Sequence, residues 1–95
     1  METKHANLSQ VIEGITITEK KLGQFNAIGI AYPEEKKIYI DPRLSRDEMI
    51  EILIHEAAHV LLPYLTEETV DYAAKVIGKI VVQKCEEKGY FKTYE

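Results

Sequence analysis

Residues 55–59 read His-Glu-Ala-Ala-His: two histidines four positions apart, with a glutamate directly after the first. Positions i and i+4 lie on the same face of a helix, so His55 and His59 can turn two imidazoles toward one divalent cation. Glu56 then comes within reach of a water held at that cation. Two neutral imidazoles, a zinc ion and a carboxylate base suit hydrolysis of a peptide bond. The metal polarises the carbonyl and lowers the pKa of the water, and the carboxylate takes its proton.

The flanks support a helix. Ile52, Leu53, Ile54, Ala57, Ala58, Val60 and Leu61 are uncharged, and no proline interrupts them. Imidazoles and a carboxylate within such a run need partners. A metal is one solution, and hydrogen bonds among core side chains are the other.

A catalytic zinc ion takes three protein ligands and keeps one position open. Glu67, Glu68 and Asp71 are the candidates for the third, because they open the helical stretch that follows. At roughly 100° per residue, Val70, Ala73, Ala74, Ile77, Ile80 and Val81 share the face that must pack. Glu67 lies one turn before Val70, at the border of that face. Glu68 aligns with Tyr72, Lys75 and Lys79 on the wet side. Glu67 is therefore the favoured ligand and Glu68 the runner-up. Asp71, one turn on, is expected to support a histidine from behind.

The elements that must position these residues are legible in outline. Ile15-Thr16-Ile17-Thr18 alternates as a half-buried strand. Residues 27–32 read as a second strand and 37–41 as a third, joined by Pro33-Glu34-Glu35-Lys36 into a hairpin, with Gly23–Asn26 leading into it. Residues 1–10 are mostly polar and are expected to be loosely ordered or to form a short helical turn. Ser45 with Glu48 forms an S-x-x-E capping box, so a helix is expected from Arg46 to Leu62, before Pro63. Thr66 caps a second helix that carries Glu67 and Glu68 in its first turn and runs to Lys88, stopped by Gly89. The expectation is one α+β domain over 1–95: a small antiparallel sheet of about three strands, then two helices.

Composition bounds the function. Ninety-five residues make one domain, and a chain this short buries roughly 60–65% of its unfolded surface. The net charge of −4 gives no reason to expect nucleic acid or an anionic membrane as partner. A single cysteine, Cys85, excludes an internal disulfide and a cysteine-rich zinc finger. The start, Met1-Glu2-Thr3-Lys4-His5, has no apolar segment of a secretory signal, and no apolar run reaches membrane-spanning length. A cytoplasmic protein is expected. His5 reads as an exposed terminal histidine and Cys85 as an inert half-buried thiol. The tyrosines, Tyr32, Tyr39, Tyr64, Tyr72, Tyr90 and Tyr94, read as residues at core borders.

The His55–His59 motif followed by Glu67 and, four residues later, Asp71 resembles the gluzincin branch of the zincin metallopeptidases. Residues 38–90 also resemble small single-domain zincin-like proteins of phages and other mobile elements. The matching stretches are Ile40-Asp41-Pro42-Arg43-Leu44, Leu53–His59, Pro63–Val70 and Gly89-Tyr90. The spacer from His59 to the glutamate is much shorter than in larger gluzincins, and no substrate-binding subdomain is present. The resemblance implies a minimal zincin fold, Zn2+ held by His55, His59 and Glu67, Glu56 as general base, Asp71 bonded to a histidine behind the metal, and a peptide or protein substrate. An extended peptide could lie along an edge strand of the 27–41 hairpin. Two alternatives stay open: a zincin-fold zinc protein that binds a partner without cleaving it, and an accessory protein acting through contacts alone.

Overall fold

A computed structural model describes residues 8–25 and 27–91. The expectations for residues 1–7 with His5, for Asn26, and for residues 92–95 with Tyr94 lie outside the described residues. Strands β1 (Leu8–Ile12), β2 (Ile15–Glu19), β3 (Gly29–Tyr32) and β4 (Lys37–Ile40) precede helices α1 (Arg46–Leu61) and α2 (Glu67–Glu87). The α+β order agrees with the sequence. The sheet differs: it has four strands in the order β1-β2-β4-β3, with β2 parallel to β4 and the other two pairs antiparallel.

Both differences have local causes. Leu8–Gln10, expected to be loosely ordered, form most of β1. The β1–β2 hairpin closes on Glu13-Gly14, both at positive φ (51° and 83°), the mirror-image turn that matches strand twist. A glutamate in that position is an uncommon signal. The connection from Lys20 to Ile28 then carries the chain past β2, so that β4 fits between β2 and β3 and β3 becomes an edge. The β3–β4 turn is the expected one, a 3-10 turn over Pro33–Glu35 with Lys36 left-handed at φ 55°.

One face of the sheet is aliphatic and meets α1. Ile15, Ile17, Ile38 and Ala31 pack against Ala57 and Val60. The other face is polar and aromatic. Ser9 and Thr18 hydroxyls hydrogen-bond at 2.8 Å, and Tyr32 meets Tyr39 edge-on at 5.5 Å. Register explains the division, because Ile17 pairs with Ile38 and Ile38 with Ala31 across three strands.

Both helix starts follow the sequence. The Ser45 hydroxyl accepts from the Glu48 N–H at 3.2 Å, and the Glu48 carboxylate accepts from the Ser45 N–H at 3.0 Å. The Thr66 hydroxyl caps α2 through the Thr69 N–H at 3.1 Å. Gly89 is left-handed at φ 72°. It ends α2 with paired bonds from Gly89 N–H to Glu86 and from Tyr90 N–H to Cys85, a Schellman closure.

α2 packs on α1 rather than on the sheet. Its buried stripe is Val70, Ala74 and Gly78, narrower than the apolar face expected. Ile77, Ile80 and Val81 are 45%, 57% and 37% exposed. The helices lie close here: a β-carbon on Gly78 would stand in ordinary contact with Glu51, at 3.5 Å, and the bulky residues are left on the flank. Among the described residues, no helix is long and apolar enough to cross a membrane.

Asp41 ties the loops beside α1. It is 4% exposed. Its carboxylate accepts from the Leu22 N–H at 2.9 Å, from the Arg43 N–H at 3.0 Å, and from the Arg43 guanidinium at 2.8 and 2.7 Å. Its own N–H donates to Ile28 O at 3.0 Å. The Arg43 guanidinium first, then the Leu22 N–H, hold this carboxyl well below the usual range, against the opposing effect of burial. Asp41→Asn should lower the unfolding free energy by about 2 kcal/mol at neutral pH, measured by urea denaturation. A depressed native pKa contributes stability above the ordinary carboxylate range, and loses it as pH falls toward the depressed value. The difference between the two proteins should therefore shrink in strong acid.

Candidate metal centre

α1 places His55 and His59 one turn apart, with ring centroids 4.8 Å apart and planes at 76°. After α1 ends, the short turn through Pro63 brings the chain back, and the Thr66 cap starts α2 opposite the second histidine. Glu67, the first residue of α2, projects its carboxylate between the two rings. One oxygen lies 2.8 Å from His59 Nε2 and the other 3.2 Å from His55 Nε2. The ligating atoms of His55, His59 and Glu67 all fall within 4.8 Å of one another. Among the described residues, this is the one group of histidine, cysteine or carboxylate side chains close enough to hold a metal ion.

The structure thus brings together the three residues favoured from the sequence. Glu68 is exposed and lies outside the group. Asp71 is near but differently aimed. Its Oδ1 stands 3.9 Å from His55 Nε2, the nitrogen that faces Glu67, and not behind the ring. Its carboxylate is instead gripped at 3.0 and 3.1 Å by Lys75, whose ammonium also reaches Glu51 at 3.8 Å. The hydrogen bond to Asp71 is the first cause that raises the Lys75 pKa.

Glu56 is 8% exposed. Its Oε2 lies 3.2 Å from His55 Nδ1. Among the described residues, Oε1 has no hydrogen bond to another side chain or to the backbone. A buried acceptor without a donor calls for one, and a water at the metal position would be such a donor.

Gly29 makes this burial possible, and the sequence reading did not single it out. A β-carbon there would lie 2.5 Å from Ile52 Cγ2 and 3.0 Å from Glu56 Cγ. The readable signal was a glycine inside a strand, which often marks close approach of another backbone or ligand. Arg43 and Asp41 were likewise missed as site walls. They border an open cleft of about 660 Å³ beside His55 and Glu56, with Ile28, Gly29 and Glu51.

The edge strand β3 runs along this cleft. The Asp41 N–H bonds to Ile28 O, and antiparallel pairing alternates. The backbone groups of Ile28, Ile30 and Tyr32 therefore turn toward β4, and those of Gly29 and Ala31 turn toward the free edge. At the far end of the strand, Ala31, Tyr32, Pro33 and Pro63 line a second, more apolar hollow.

No protein-family model matches this chain, and no curated protein or solved structure matches it significantly.

Gly29→Ala should lower stability by about 1–3 kcal/mol, because β3 must lift from α1 or Ile52 must leave its rotamer. Denaturant unfolding measures this. Unchanged stability would mean that the strand is free to move off the helix.

Proposed function

We propose that this protein is a minimal zinc-dependent peptidase of the zincin type. The observation that carries the reading is the convergence of His55, His59 and Glu67, with their ligating atoms within 4.8 Å, beside a buried Glu56 that has one unbonded oxygen. Two imidazoles and one carboxylate are a donor set that zinc takes in catalytic sites. When bound, zinc supplies a Lewis acid that polarises a carbonyl and makes a water more acidic.

The protein's own residues do the rest. His55 and His59 hold the ion from α1, and Glu67 holds it from α2. Glu56 accepts the proton of the attacking water and returns it to the leaving amine. Among the described residues the backbone groups of Gly29 and Ala31 face the outer edge of β3, where they are suited to hydrogen-bond an extended peptide and so fix its carbonyl relative to Glu56. A cytoplasmic setting agrees with the single thiol, Cys85.

A second reading is a zinc protein that binds without cleaving. The nearness of Asp71 to His55 Nε2, 3.9 Å, favours it, because a fourth protein ligand would close the site.

Purified protein should carry about one zinc per chain, and His55→Ala and His59→Ala should each lose it. Elemental analysis decides, and full zinc in both variants would sink the metal site. Glu67→Ala should weaken zinc binding strongly, whereas Glu68→Ala should leave it near wild type and cost only about 0.3–1 kcal/mol of helix-dipole stabilisation. Zinc titration of the pair separates these roles. Glu56→Gln should retain zinc and abolish cleavage of unstructured peptides. A zinc-loaded wild type that cleaves none of them supports the second reading.

A further inference from the structure

We propose that Glu56 also positions His55 for the metal, through Oε2, and so performs the task that the sequence pattern assigns to Asp71. The proposal rests on the metal-site reading above. A histidine that ligates through Nε2 needs a neutral ring with its proton on Nδ1, and a partner to hold that proton fixes both tautomer and ring orientation. An ionised carboxylate only accepts hydrogen bonds. With Glu56 Oε2 at 3.2 Å from Nδ1, a proton on Nδ1 is donated to Glu56, and Nε2, which faces Glu67 Oε2 at 3.2 Å, is then the nitrogen presented to the ion.

The surroundings make this contact a fixed one. The His55 and Glu56 side chains are only 13% and 10% exposed, so water competes poorly for their hydrogen bond. Gly29 closes over Glu56, with room for no β-carbon. Asp71 has none of these features. Its side chain is 52% exposed, it sits on the Nε2 side, and Lys75 occupies both of its oxygens. The two oxygens of Glu56 then divide the work. Oε2 holds the ligand, and Oε1, which has no bond among the described residues, moves the proton.

The test compares the full-length wild type with Glu56→Gln, Glu56→Ala and Asp71→Ala, using zinc alone as probe in competition with a chelator. Glu56→Ala should bind zinc about 10–100-fold more weakly, the usual loss on removing an outer partner of a metal histidine. Glu56→Gln should stay close to wild type, because its amide oxygen still accepts from Nδ1–H. Asp71→Ala should also stay close. Nitrogen-detected imidazole spectra of zinc-loaded wild type should show the His55 proton on Nδ1, a readout that folding alone does not set. Zinc bound equally tightly by Glu56→Ala, a larger loss in Asp71→Ala, or a proton on Nε2 overturns this proposal while the metal site stands. A wild type that binds no zinc overturns both.

Discussion

The approach of β3 to α1 at Gly29 is the constraint on which the rest of the site depends. A strand can sit this close to a helix only where one residue lacks a side chain, and the contact falls on Ile52 and Glu56. The consequence is a carboxylate taken out of water beneath a backbone. Such a group is costly unless its oxygens find donors. His55 Nδ1 lies 3.2 Å from one of them. The close packing therefore does two things together: it seals the aliphatic layer between sheet and helix, and it holds a carboxylate beside a histidine.

The second helix completes the group by a different principle. Only a narrow stripe of α2 is buried. The two helices meet along Val70, Ala74 and Gly78, and this near contact brings the first residue of α2 over the last turns of α1. Glu67 is 71% exposed as a side chain, so burial does not fix it. Its place comes from the Thr66 cap, from the favourable field at a helix N-terminus, and from the two imidazoles on either side.

The apolar core is thin for a chain of this length. Among the described residues, the buried hydrophobics are Ile15, Leu22, Ile38, Ile40, Val60, Val70 and Ala74. Polar knots carry part of the task. Asp41 joins the β2–β3 connection, β3 and the start of the α1 loop through one buried carboxylate and one N–H. Charge-assisted bonds of this kind are the strong ones, and here they fix Asp41 and Arg43 in the lining of the cleft that also borders His55, Glu56 and Glu67.

The sequence by itself determined whatever is local. The Ser45–Glu48 capping box, the Thr66 cap, Pro63 and the Gly89 stop placed both helices to within a residue, because caps satisfy backbone groups within one turn. The i, i+4 spacing put His55 and His59 on one face, and phase relative to Val70 chose Glu67 over Glu68. Only the tertiary structure decided what depends on partners distant in the chain. Strand order is one case: alternation marks a strand but not its neighbour, so the parallel β2–β4 pairing and the extra β1 were not legible. The face of α2 is another, since α2 packs on α1 along Val70, Ala74 and Gly78 and leaves Ile77 and Ile80 exposed, which periodicity alone does not distinguish. The aim of Asp71 is a third. Its spacing from Glu67 is right for an outer partner of a histidine, but Lys75 one turn on holds it, and the close contact at Gly29 turns Glu56 to His55 Nδ1 instead.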